Sequence, residues 1–215
     1  MTYATVRTPS GPMLEGSSPD LLRKLLENLF DALESAGVPL RAHLRPGLSE
    51  GYIRERLERR GLVAPLELVS WYETFDGARF MVGEAPTRLF PVFDLHSLDQ
   101  ALALYDAEAE ALRMGSEPWE WNPEWLRIGE PVHSLAVHCA PDESAPPRVR
   151  SVGDDHTTQA LDPTYQVVSL CTPVAWWIEA LEAGVFEWRA DVGNWALTQI
   201  FPGSRWFPQR LAGFV

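Results

Sequence analysis

Residues 61–77, GLVAPLELVSWYETFDG, carry the stretch on which the fold turns. Pro65 suits the start of a helix, because a helix's first amides have no internal acceptor and proline lacks one to leave unpaired. Leu66, Val69, Tyr72 and Phe75 then recur at helical spacing, which predicts a core-facing stripe. Asp76-Gly77 should end the helix in a turn, with Gly77 at positive φ.

Upstream, Ser18 can cap a helix with Pro19 at its first position, and Leu22, Leu25, Leu26, Leu29 and Leu33 form an apolar stripe that stops before Gly37. Another amphipathic helix is predicted from Ser49 through Ile53 and Leu57 to Gly61. Residues 1–17, rich in Thr, Pro, Ser and Gly, read as a loose arm before a single domain over 18–215.

Downstream the pattern alternates. A short apolar run, Leu89 to Phe93, reads as a strand, and Ser97-Leu98-Asp99-Gln100 has capping-box spacing ahead of Leu102, Tyr105 and Leu112. Trp125 to Ile128, Leu135 to Cys139 and Arg148 to Val152 are short segments with turn residues between them, the signature of an antiparallel meander. Tyr165 to Leu170 reads as a further strand. After Thr172-Pro173, the residues Val174, Trp177, Ile178 and Leu181 predict a closing helix before Gly184. From Asp191 onward the apolar residues follow no clean period, which predicts irregular packed structure in a tail that starts at about 187. The order predicts an α+β fold: N-terminal helices on a mainly antiparallel sheet, closed by a C-terminal helix.

Composition narrows the function. The 215 residues are 46% hydrophobic and include nine Trp, enough for one sizeable core. A net charge of −12 opposes a polyanionic backbone, so a basic protein is the expected partner and nucleic acid is not. Lys24 is the only lysine among 18 basic residues. No run approaches the roughly 20 apolar residues that cross a bilayer, and the N-terminus lacks a signal-peptide order, so a cytoplasmic protein without a membrane partner is expected. Cys139 and Cys171 are the only cysteines, expected as reduced thiols.

Lys24 sits inside a leucine-rich helix with no Gly-rich loop before it, and no G-x-G-x-x-G, H-E-x-x-H or C-x-x-C occurs; Gly47-Leu48-Ser49-Glu50-Gly51 has G-x-S-x-G spacing but is read as the start of the Ser49 helix and not as a nucleophile elbow. His133, His138 and Cys139 cluster in sequence, yet in a strand His138 and Cys139 point to opposite faces, and His133 and Cys139 lie roughly 20 Å apart. No catalytic residue, metal ligand or cofactor is therefore assigned. Gly153-Asp154-Asp155-His156 suits an exposed turn better than an ion site. Trp119 and Trp121, flanking Glu120, suit either an aromatic contact patch or cover for the edge of the meander.

The run Gly61 to Leu68, then Trp71-Tyr72 and Phe75-Asp76-Gly77, resembles the "P-x-E-L, aromatic, D/N-G" helix and turn of the SMI1/KNR4, or SUKH, superfamily. Pro91-Val92-Phe93 before the Ser97 helix, Trp125 to Gly129, and Val174 to Phe186 resemble that family's later strands and closing helix, over roughly 50–186. Arg127 stands where the family usually has proline, Leu135 to Cys139 lacks its aspartate, and the tail is extra. The resemblance implies a compact α+β domain without enzymatic activity, used in bacteria as an immunity protein that neutralises a polymorphic toxin, often a nuclease. The expected contacts with a basic toxin are Asp142, Glu143, Asp154 and Asp155 at an acidic rim, with Trp119 and Trp121 as aromatic anchors. The alternatives are a regulatory scaffold with no toxin partner, and a metal-dependent hydrolase assembled from His138, Asp154 and His156.

Overall fold

A computed structural model describes residues 5–8, 11–14, 18–78, 81–82, 85–86, 89–91, 94–115, 122–130, 133–139, 142–143, 146–153 and 166–198. The fold is α+β. Within the segment read as a loose arm, β1 (Thr5–Thr8) pairs antiparallel with β2 (Gly11–Leu14), Thr8 opposite Gly11. The β-branched Thr5, Val6 and Thr8 favour that extended backbone. The helix expected after Ser18 is α1 (Pro19–Ser35): Ser18 Oγ accepts from the Leu21 amide at 3.2 Å, and Leu22, Leu25, Leu26, Leu29, Phe30 and Leu33 are buried. Gly37 ends it at φ 95°, with its own amide on Glu34 O and the Val38 amide on Leu33 O, closing the last carbonyls as a Schellman turn does.

Next come β3 (Leu44–Pro46), α2 (Glu50–Glu58) capped by Ser49, α3 (Leu66–Thr74) and β4 (Phe75–Ala78), which pairs antiparallel with β3. Two expectations fail here. Leu66 is 39% exposed and does not face the core; burial falls on the six consecutive residues from Glu67 to Tyr72. Helix α3 is an interior helix, sheathed on most sides, and only its ends reach solvent. Asp76-Gly77 lies within a strand and not in a turn. Gly77 does have φ 74°, but the reason is tertiary. Asp76 Oδ1 accepts from the Leu98 amide at 2.7 Å, and a Cβ on Gly77 would stand 2.6 Å from Ser97 N and 2.8 Å from His96 C.

A short hairpin, β5 (Met81–Val82) with β6 (Ala85–Pro86), precedes β7 (Asp94–Leu95). Leu89 and Phe90 are buried in a bend and not in the expected strand, Val92 and Phe93 lie outside the described residues, and among the described residues Asp94 and Leu95 pair with β8. Pro91 has no amide to give a ladder. The expected capping box opens α4 (Leu98–Arg113): the Gln100 amide donates to Ser97 Oγ at 3.2 Å and the Ser97 amide donates to Gln100 Oε1 at 2.9 Å.

The meander follows as β8 (Trp125–Glu130), β9 (His133–His138), β10 (Arg148–Gly153) and β11 (Gln166–Val168), an antiparallel sheet in the order β11-β10-β9-β8-β7. Leu126, Ile128, Leu135, Val137 and Val149 alternate onto one face and join the helical core. Helix α5 (Cys171–Glu182) begins two residues before Pro173 and packs on α1. Beyond it the described part of the tail expected to be irregular forms an antiparallel hairpin, β12 (Phe186–Arg189) with β13 (Asn194–Leu197), and residues 199–215 of that tail lie outside the described residues. Trp188 pairs directly with Trp195, their ring centroids 5.4 Å apart. The sequence hid this hairpin because the spacing that sets it, two short strands around the positive-φ Gly193, is period two and not helical. At the centre, Phe75 meets Phe30 edge to face at 5.4 Å and Trp71 at 5.1 Å.

Candidate functional site

The acidic loop between β9 and β10 is anchored. Glu143, 54% exposed at its side chain, receives a hydrogen bond from Arg54 at 2.9 Å, and Arg54 also donates to Glu50 at 2.7 Å. The Glu143 carbonyl accepts from the Leu66 amide at 3.3 Å, tying the loop to the start of α3. Asp142 beside it is exposed. Of the other expected contacts, Asp154, Asp155, Trp119 and Trp121 lie outside the described residues, as does His156. The structure therefore describes only Asp142 and Glu143 of the proposed rim.

His138 is buried on the sheet face opposite the core. Its Nε2 lies 3.0 Å from Glu124 Oε2 and 3.0 Å from an Arg148 guanidinium nitrogen, its ring is 4.9 Å from that of Trp125, and the Arg148 guanidinium stands 5.9 Å over the same indole. Cys139 is turned the other way, its thiol on Val137 O, as strand alternation requires. Among the described residues no three His, Cys, Asp or Glu side chains converge as metal ligands. Burial pushes the Cys139 thiol up to about 12 and the Cys171 thiol up to about 11, so both stay protonated at neutral pH.

A groove of about 520 Å³ runs between α1 and α5. Ala32 on α1 and Ala36 at its C-terminal cap are too short to fill the space against Ile178 and Leu181 on α5, which gives the groove an apolar floor. Asp31 on α1 and Glu182 on α5 line it from the two helices, with Asn28 and Ser35 on the α1 side. Next to it, Arg41 donates to Glu34 at 2.6 Å, Asp31 at 2.9 Å and Glu27 at 3.0 Å, and lies 5.9 Å over the Phe30 ring. These contacts, that to Glu34 foremost, raise the Arg41 pKa above its ordinary value, so one fixed positive charge faces three carboxylates and the α1 surface keeps a negative excess.

Other arginines bind elements together: Arg23 with Glu73 at 2.9 Å joins α1 to α3, Arg56 with Asp99 at 2.6 Å joins α2 to α4, and Arg60 with Asp106 joins the turn after α2 to α4. Each exposed pair is worth about 0–1 kcal/mol, so these cations position helices more than they stabilise them.

Sequence reasoning missed the groove. Asn28, Asp31, Ala32 and Ser35 recur at the helical spacing i, i+3, i+4, i+7, a polar and small stripe beside the leucine stripe of α1, and that was its signal. No helix among the described residues is long and apolar enough to cross a membrane. No protein-family model matches the chain, and no curated protein matches it at a significant level.

Proposed function

We propose that this chain is a non-catalytic, cytoplasmic protein-binding domain, a bacterial immunity protein that binds and neutralises a basic toxin domain such as a nuclease. The observation that carries this reading is the α1 surface, where Glu27, Asp31 and Glu34 surround the single Arg41 beside an open groove, on a chain of net charge −12. A field of one sign raises the encounter rate with a partner of the other, and a nuclease is basic where it meets its phosphate backbone. The order of the Pro65 to Gly77, Pro91 to Phe93, Trp125 to Gly129 and Val174 to Phe186 motifs, similar to that of the SMI1/KNR4 superfamily, supports the same reading.

The test is co-expression with the product of the neighbouring reading frame in the native host. Growth arrest by that product, relieved by this chain through a complex that co-purifies, is the expected result. A chain that protects against no neighbour and co-purifies with no protein contradicts it.

A further inference from the structure

We propose that the α1–α5 groove is the docking site, and that its occupant is an amphipathic helical face bearing arginine or lysine on a basic partner protein. The inference rests on the protein-binding reading above and names the surface and the chemistry of the partner element.

The floor and walls of the groove differ in kind. Ala32, Ala36, Ile178 and Leu181 offer apolar surface along its length, while Asp31 and Glu182 place a carboxylate on either side. Arginine and lysine have the same division: an aliphatic stem that lies along apolar surface, and a charged head that stays near water and counter-charge. A volume of about 520 Å³ is in the range of pockets that hold more than one side chain, so a row of anchors fits better than a lone residue. Helical spacing presents such a row on one face, and a groove between two helices is where a third lays that face.

Charge selects among occupants. On and beside α1 the acids Asp20, Glu27, Asp31 and Glu34 outnumber Arg23, Lys24 and Arg41 by one, Glu182 adds a further negative charge across the groove, and Asp31, 69% exposed at its side chain, borders both the groove and the Arg41 cluster. A second copy of this chain would bring the same negative face and be repelled. A basic helix lowers the potential on both sides.

The test uses the full-length chain, isotopically labelled, and an amidated helical peptide of about 15 residues with leucine on one face and arginine on its flanks, beside a twin carrying glutamate for arginine. The expected result is amide shifts confined to 28–36 and 178–182 with the arginine peptide and none with the glutamate twin. Asp31→Asn with Glu182→Gln should weaken binding at least about fivefold while melting like the parent, because both carboxylates are on the surface. Shifts scattered over the surface, no shifts, or unchanged affinity in the double variant overturns the proposal. If a co-purifying partner binds parent and double variant alike, the protein-binding reading stands and the groove proposal falls. If the peptide seats in the groove but the chain binds no protein, the groove stands and that reading falls.

Discussion

The Ser169 hydroxyl lies 2.8 and 2.9 Å from the two oxygens of the Glu67 carboxylate, across 102 residues of chain, and donates to it. Glu67 is only 2% exposed, its Oε2 also accepts from the Leu170 amide at 2.7 Å, and Ser169 holds φ 75°, a conformation costly for a side-chain-bearing residue. The carboxylate thus holds the amide of Leu170, the residue before α5, while Ser169 Oγ accepts from the first α5 amide, Cys171, at 3.0 Å, and together they fix α3 against the end of β11. An acid so placed also meets the N-terminal end of the helix dipole.

Burial raises the Glu67 pKa above the ordinary carboxylate value, and the hydrogen bonds from Ser169 and Leu170 offset part of that rise. Between the unfolded and folded pKa values the native state holds more protons than the unfolded state. The contribution of Glu67 is therefore fully present below the unfolded carboxylate pKa and is lost as pH rises through the folded value. Asp76, also raised by burial, acts with the same sign. Glu67→Gln should melt with a shallower fall in stability from pH 4 upward than the parent, a slope that thermal denaturation across pH measures. Equal slopes would show that Glu67 does not titrate in this way.

Helix α3 gives a contrast between neighbours. Leu66→Ala, at a 39% exposed position, should cost under about 1 kcal/mol, whereas Leu68→Ala, at a fully buried one, should cost about 2–5 kcal/mol. Gly77→Ala should destabilise by at least about 1–3 kcal/mol, since its Cβ would enter backbone at Leu95 to Ser97 and its φ is positive. Denaturant unfolding of the three variants checks the ranking, and a Leu66→Ala cost equal to that of Leu68→Ala would refute the placement of α3.

The C-terminal hairpin stands on its tryptophans. Trp195 also donates its indole N–H to Leu89 O at 3.4 Å, fastening the hairpin to the bend before β7. A double-mutant cycle of Trp188→Ala and Trp195→Ala should return a coupling of about 0.5–1.5 kcal/mol. A coupling near zero would separate the two rings.

Both thiols are buried and neutral. The native protein should react with a thiol-specific disulfide reagent at pH 7.5 slowly or not at all, and the unfolded chain should release two equivalents at once. Rapid native labelling of either cysteine would contradict the packing around it.

Much of this was legible in the residues, and the failures share a cause. Ser18 with Pro19, the Ser97 to Gln100 box and the alternation of Leu126, Ile128, Leu135 and Val137 are local signals, and local chemistry sets those elements. Leu66 resembles core by sequence because the stripe it begins is apolar, but exposure at a helix end depends on where neighbouring helices stop. Gly77 has the local signature of a turn residue and is in fact the point where β4 passes the start of α4, a contact that no short window contains. The same holds for the groove, where the stripe from Asn28 to Ser35 acquires meaning only when α5 arrives beside it. Of the acidic rim, Glu143 could be recognised as exposed from its turn-rich surroundings, whereas its link to Arg54, 89 residues away, could not.

The central claim is that a negatively charged surface recognises a basic protein, and salt tests it most directly. Calorimetric titration of the full-length chain with the toxin-like product of its neighbouring reading frame, at low and at high ionic strength, measures that term, because screening shortens the reach of surface charge to roughly 3 Å at 1 M. The account predicts tight binding at low salt that weakens at least about tenfold as salt rises, mainly through a slower association. Binding that is indifferent to salt, or that strengthens with it, would contradict the account.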